Sequence, residues 1–289
     1  LNENNVQIYE NSYSVNSDLV YKGRTQCSLK TRRNMGRLND KVIVITGGAG
    51  GIGLASARMF LDEGASGIIL VDLNKDDLKQ AEKELNSEKV ISVAADVSKS
   101  DDVKRYTDAT IKAFGRIDVL FLNAGIEGIV KPLTDYPEEM YDKVIAVNTK
   151  GVWLGLKHAF PHMKKNGGGS IIITSSVAGM QGTPNVMAYV TSKHAVNGTM
   201  KVAALEGAAD KIRVNTIHPS PVDNRMMRSL EEGFAPGAAE EAKKGFEQII
   251  PLGRYATNDE IAAVALFLAS DESRFVTGAM IPVDGGLTV

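Results

Sequence analysis

A single cysteine, Cys27, stands in the 289 residues, so no internal disulfide can close and no cysteine cluster can hold a metal. A chain without disulfides suits a reducing compartment, and a cytoplasmic location is expected. No apolar run is long enough to cross a bilayer. A strong charge of either sign is also missing. The formal net charge is -2 at pH 7, which gives nucleic acid or an anionic membrane surface nothing to hold. The four histidines, His158, His162, His194 and His218, lack the spacing of a metal site. His158 and His162 fall four apart, but Pro161 intervenes and no third ligand is evident, so packing roles are expected. A G-x-S-x-G elbow is absent, which removes a serine-hydrolase reading.

What is present is the balance of a globular chain: 43% hydrophobic and 24% charged residues, enough to bury a core without staples. Residues 1–34 differ. They are polar, carry no hydrophobic period, and turn basic in their second half (Lys22, Arg24, Lys30, Arg32, Arg33). Glu3, Glu10 and Asp18 speak against an organelle transit peptide, and no apolar core marks a secretory signal. The expectation is an unstructured extension or a remnant of upstream sequence, followed by one catalytic domain over 35–289.

From Met35 onward, apolar runs alternate with helical patterns. Strands are expected over 42–45, 68–71, 90–94, 119–122, 170–174, 212–217 and 279–283. Helices are expected over 54–63, 76–85, 100–114, 138–165, 188–209 and 258–269. Fully apolar strands separated by helices predict a parallel sheet covered on both faces. Right-handed crossovers make it doubly wound: an α/β, Rossmann-type fold of about seven parallel strands.

The first strand runs into Thr46-Gly47-Gly48-Ala49-Gly50-Gly51-Ile52-Gly53, which opens a helix. Glycines there allow a tight turn and let backbone N–H groups approach a pyrophosphate. Two registers fit. Gly48, Gly50 and Gly53 match G-x-G-x-x-G, while Thr46-Gly47 with Gly51 and Gly53 match T-G-x-x-x-G-x-G. A glycine-rich turn without a ligand is the plain competitor. Asp72 ends the second strand about 20 residues after the glycines, where a carboxylate accepts from ribose hydroxyls and repels a 2′-phosphate. That predicts NAD(H) over NADP(H). Asp96-Val97 follows the third strand, where a carboxylate can meet the adenine amino group. Asn123-Ala124-Gly125 follows the fourth, where small residues admit close cofactor approach. A plain turn competes at each.

Tyr189 and Lys193 stand four residues apart, neighbours on one helix face. An ammonium beside a phenol is expected to favour the phenolate and lower a pKa otherwise about 10. A phenol so tuned exchanges protons near neutral pH, as hydride transfer between alcohol and ketone requires. Ser176 lies thirteen residues upstream of Tyr189.

Together these residues resemble the short-chain dehydrogenase/reductase family, in its short single-domain branch, over about Met35 to Val289. The resemblance rests on Thr46-Gly47-x-x-x-Gly51-Ile52-Gly53, Asn123-Ala124-Gly125, Asn148, Ser176, Tyr189-x-x-x-Lys193 and Val283-Asp284-Gly285-Gly286. It favours the second glycine register. It implies Tyr189 as general acid/base, and Lys193 as binder of the nicotinamide ribose that also depresses Tyr189. It implies Ser176 as holder of the substrate oxygen, and Asn148 as a residue that kinks its helix and holds a water in a proton relay. Pro219 and Val222 resemble the loop on the nicotinamide carboxamide. Ser220 and Asn224 depart from the family's usual glycine and threonine there. A homotetramer built on the long helices and the C-terminal segment is also implied.

The expected activity is NAD-dependent interconversion of a secondary alcohol and a ketone, without metal. A catalytically idle dinucleotide-binding scaffold is the alternative. An epimerase or dehydratase on a related fold is disfavoured by the three-residue gap before Gly51 and the absence of a substrate domain. Glu127, Val177, Met180, Gln181, Asn185 and the segment 223–250 are expected to line the pocket, with Met226, Met227, Leu230 and Phe234 as an adaptable apolar lid. Glu127 either binds a polyol hydroxyl or faces water.

Overall fold

In a computed structural model, which describes residues 36–289, the sheet has seven parallel strands in the order β3-β2-β1-β4-β5-β6-β7. The expected extension over 1–34 lies outside the described residues. The strands are β1 Val42–Thr46, β2 Gly67–Asp72, β3 Val90–Ala94, β4 Val119–Leu122, β5 Gly169–Thr174, β6 Ile212–Pro219 and β7 Met280–Val283. Between them run α1 Gly51–Asp62, α2 Lys75–Leu85, α3 Ser100–Phe114, α4 Glu138–Ile145, α5 Gly151–Lys165 and α6 Met187–Gly207. Helices α7 Arg225–Phe234, α8 Ala239–Ile249 and α9 Asn258–Ala269 follow β6.

Alternation along the strands builds two cores. Ile43, Ile45, Ile68, Leu70, Val119 and Phe121 face α1, α2 and α9. Val44, Ile69, Val71, Leu120 and Leu122 face α3, α5 and α6. Because both faces are covered, β1, β2, β4 and β5 carry unbroken apolar runs over 42–45, 68–71, 119–122 and 171–173. Each such side chain, fully buried, contributes roughly 1.5–3 kcal/mol.

Local chemistry sets the helix ends. The Asn74 side chain accepts from Asp76 N and Asp77 N at the start of α2. Gly115, with φ 79°, stops α3. Thr257 and Glu260 form a reciprocal capping box on α9. The long helical stretch expected over 138–165 is α4 and α5 joined by a π-helical turn, Ala146–Lys150, with Asn148 at its centre. Segment 223–250, read from sequence as a lid without assigned structure, contains the helices α7 and α8.

Candidate active site

The chain winds from β1 outward to β2 and β3 and then crosses back to β4 on the other side of β1, so the strand order reverses there and a crevice opens at the carboxyl ends of these strands. The glycine turn fills its floor. Gly47 is left-handed at φ 64°, and a Cβ on Gly53 would strike the Gly47 carbonyl. A Cβ on Gly51 would meet the Asn258 side chain within 2.6 Å. Gly50 has φ -83° and room for a Cβ at ordinary contact. A Cβ on Gly48 would lie 3.0 Å from the Ile45 carbonyl oxygen and 3.1 Å from Leu70 Cα, so backbone demands glycine at 47, 48 and 53, whereas at 51 only the end of the Asn258 side chain stands in the way. Helix α1 starts with no side-chain cap and no acid in its first turn, which suits its N-terminus to an anion.

Asp72 sits at the end of β2, half-buried. Its Oδ2 accepts from Ala49 N at 3.2 Å and its Oδ1 from Leu73 N at 2.8 Å, so it braces the turn and keeps lone pairs for a ligand. Asp96 accepts from Ser98 N at 3.0 Å and from Ser98 Oγ at 2.6 Å. Partial burial raises its carboxyl, but the Ser98 donors and Lys99 outweigh that and hold it below the ordinary range. Val97 packs against Gly151 at the head of α5.

Asn123 ties three strand ends together. Its N–H donates to Thr46 Oγ1 at 3.0 Å, its Nδ2 to the Gly47 carbonyl at 3.4 Å, and its Oδ1 accepts from Thr174 Oγ1 at 3.0 Å. Ala124 N also donates to Thr46 Oγ1, at 3.1 Å. A Cβ on Gly47 would lie 3.0 Å from Ala124 Cα, so small residues are required on both sides. A nicotinamide dinucleotide fits this donor set: a turn that side chains would fill, a helix start without a cap, and a carboxylate at the next strand end.

Across the crevice, Ser176 follows β5 and caps a short helical turn, its Oγ accepting from Ala178 N at 3.1 Å. Tyr189 and Lys193 project from the start of α6. Lys193 is 4% exposed and donates from Nζ to the Thr174 carbonyl at 2.8 Å. Burial lowers its pKa to about 8. Its ammonium stands 5.4 Å from the centroid of the Tyr189 ring. Burial pushes the Tyr189 phenol up to about 12; the Ser176 hydroxyl pulls the other way, and the Glu127 carboxylate adds to the rise.

The expectation that Lys193 depresses Tyr189 is therefore corrected. Spacing brings the two side chains together, but the ammonium is committed to a main-chain carbonyl beside the ring, and loss of water around the phenol dominates.

Asn148, 1% exposed, has both amide N–H donors and one of its oxygen lone pairs engaged. Oδ1 accepts from Ile126 N at 2.8 Å, and Nδ2 donates to the Ile126 carbonyl at 2.9 Å and to Ser192 Oγ at 3.0 Å. This fixes the loop after β4 and leaves one acceptor lone pair for a water. Gly125 lies between, where a Cβ would sit 3.3 Å from Asn148 Oδ1 and 3.5 Å from Lys193 Nζ.

Pro219 ends β6 and pairs with Val283, and Val222 bridges to Ala256. Asn224 caps α7 through Oδ1 and reaches Asn258 Oδ1 with its Nδ2 at 3.4 Å. The sequence reading missed Asn258, which stands over Gly51. Nothing in a helix-start Asn-Asp-Glu signals a contact so far along the chain. His218, one of the four histidines without metal-site spacing, is wholly buried beneath the site. Its Nδ1 lies 2.9 Å from the Ser176 carbonyl, which can only accept, so Nδ1 carries the proton and Nε2 accepts from Thr216 Oγ1 at 2.8 Å. No group of three or more metal-ligating side chains occurs among the described residues, and none of their helices is long and apolar enough to cross a membrane.

A doubly wound sheet with a phosphate-type glycine turn facing a Ser–Tyr–Lys group defines the class of dinucleotide-linked oxidoreductases. A family model described as enoyl-(acyl carrier protein) reductase matches residues 47–288. Levodione reductase of Leifsonia aquatica is 36% identical over 86% of this chain and 95% of its own length. The 3-oxoacyl-(acyl-carrier-protein) reductase of Thermotoga maritima is 40% identical over 88% of this chain and 100% of its own. A crystal structure of NAD+-bound xylitol dehydrogenase superposes with a TM-score of 0.82 at 33% identity, covering 86% of this chain and 99% of that one. The chain belongs to the short-chain dehydrogenase/reductase family.

Proposed function

We propose that this protein interconverts a secondary alcohol and a ketone with NAD(H), using Tyr189 to exchange the proton. The observation that carries the reading is the meeting of Ser176, Tyr189, Lys193 and the Asn148-pinned loop at one end of the sheet, opposite the Gly47–Gly53 turn. In oxidation, Tyr189 takes the alcohol proton while Ser176 holds the substrate oxygen. When bound, oxidised nicotinamide supplies the hydride acceptor and a second positive charge near the phenol. Lys193, poised near pH 8, passes the proton onward and binds the ribose hydroxyls. Asn148 fixes Ile126 and offers its remaining lone pair to a relay water. Gly47, Gly51, Ile52 and Gly53 hold the pyrophosphate. Asp96, Val97, Asn123, Ala124 and Gly125 line the adenine and central parts, and Pro219 and Val222 the carboxamide end.

Asp72 favours NAD, since its carboxylate accepts from a free ribose 2′-hydroxyl and repels a phosphate there. The NAD+-bound xylitol dehydrogenase supports the same choice. The names levodione reductase, cyclohexanol dehydrogenase and (-)-trans-carveol dehydrogenase among the relatives support small secondary alcohols and ketones as substrates. A homotetramer belongs to the same reading. Trp153, Val202 and Leu205 give α5 and α6 an exposed apolar face, and Leu252 and Phe275 lie exposed toward the C-terminus; light scattering measures the mass. The test of activity is a panel of secondary alcohols assayed at alkaline pH with NAD and with NADP. Oxidation with NAD is expected. No turnover of any alcohol or ketone with either cofactor contradicts the proposal.

A further inference from the structure

Ile126 is clamped through both its N–H and its carbonyl by Asn148, and Gly128 turns the chain with φ 75°. Glu127, between them, is held in place with little backbone freedom. The residue is 7% exposed, and among the described residues its carboxylate accepts no hydrogen bond. Its charged neighbour is Arg225 Nη1, at 3.7 Å, on a side chain that is itself 80% exposed. The carboxylate is close enough to Tyr189 for its charge to act on the phenol. The lone pairs of this carboxylate are not taken by any donor among those residues, so a ligand that supplies one gains a charge-assisted hydrogen bond at a largely buried, fixed position.

We infer that Glu127 is a specificity residue that accepts a hydrogen bond from a second hydroxyl of the substrate, so that diols and hydroxyketones are favoured over simple alcohols and ketones. The inference rests on the alcohol-oxidising reading above. The reacting hydroxyl is taken by Ser176 and Tyr189, so the donor to Glu127 is a different group on the same molecule. A neutral hydroxyl fits better than an ammonium. Arg225 already balances the carboxylate, and the Lys193 ammonium lies in the same crevice. Arg225 is the first residue of α7, so the carboxylate also stands where that helix meets the loop after β4.

The experiment compares kcat/KM for cyclohexanol with those for 1,2-, 1,3- and 1,4-cyclohexanediol, in the wild type, Glu127→Gln and Glu127→Met. In the wild type at least one diol should exceed cyclohexanol by about tenfold or more, the worth of a hydrogen bond to a charged acceptor. That ratio should fall by about 10- to 100-fold in Glu127→Met, with Glu127→Gln between. Wild-type enzyme that shows no diol preference overturns the inference without any variant having to fold. So does a preference that survives in Glu127→Met. In both cases oxidation of cyclohexanol itself leaves the underlying reading standing. Failure to oxidise any of the four with NAD or NADP brings down that reading, and the inference with it.

Discussion

Removing the Lys193 charge should make the cofactor-free protein more stable while destroying its turnover. Burial lowers Lys193 from 10.5 to about 8. At roughly 1.4 kcal/mol per unit, keeping that ammonium inside costs the folded chain about 3 kcal/mol at pH 7. Lys193→Met keeps the length of the side chain and deletes the charge. It also deprives the Thr174 carbonyl of its donor, a loss of about 1 kcal/mol. The net gain is about 2 kcal/mol, or a melting temperature higher by about 4–8 °C for a chain of this size. The pH dependence has a definite sign. Between pH 8 and 10.5 the folded wild type binds fewer protons than the unfolded chain, so its stability rises with pH. The advantage of the variant is therefore full below pH 8 and fades by pH 10.5. Thermal melting of both proteins across that range measures it. A variant that melts no higher than wild type at pH 7, or an advantage that stays constant to pH 10.5, refutes the reasoning. Such a trade of stability for activity is expected of a buried charge held for chemistry.

On the proposed role of Asp72, wild type should use NAD over NADP by about tenfold or more in kcat/KM, and Asp72→Ser should narrow the gap; a wild-type preference for NADP contradicts it. Gly53→Ala places a methyl against the Gly47 carbonyl. It should destabilise by about 1–3 kcal/mol in a urea titration and weaken NADH binding by fluorescence. Asn148→Ala leaves the Ile126 N–H without its acceptor and should cost about 1–3 kcal/mol. Steady-state kinetics on that variant should show kcat falling further than NADH affinity.

Much of the fold is legible in the sequence where local chemistry and tertiary need agree. The bounds of α3, β4 and α9 follow from apolar runs, from Gly115 as a stop, and from the Thr257–Glu260 cap. The glycine turn after β1 and the end-of-strand position of Asp72 follow from one βα unit, read over about 30 residues, whereas the choice between the two glycine registers comes from the resemblance. What was illegible depends on contacts distant in sequence. Helices α7 and α8, split by Pro236-Gly237, are the exception: both are strongly amphipathic, so their periodicity is legible and the expectation of a lid passes over it. The kink at Asn148 is implied by the resemblance, but the clamp its amide places on Ile126 and Ser192 from the π-turn is not revealed by spacing. The direction of the Tyr189 shift was misjudged for the same reason. An i, i+4 pair fixes proximity, whereas the pKa is set by how much water the fold removes.

Everything proposed for the chemistry passes through the phenolic oxygen of Tyr189. Tyr189→Phe deletes that one atom and keeps the ring on which Lys193 rests. Alcohol oxidation by this variant should fall at least about a thousandfold, in line with the loss of a general base, while NADH titrates with nearly the wild-type affinity. Oxidation at the wild-type rate would mean that another group carries the proton, and the account would be wrong at its centre.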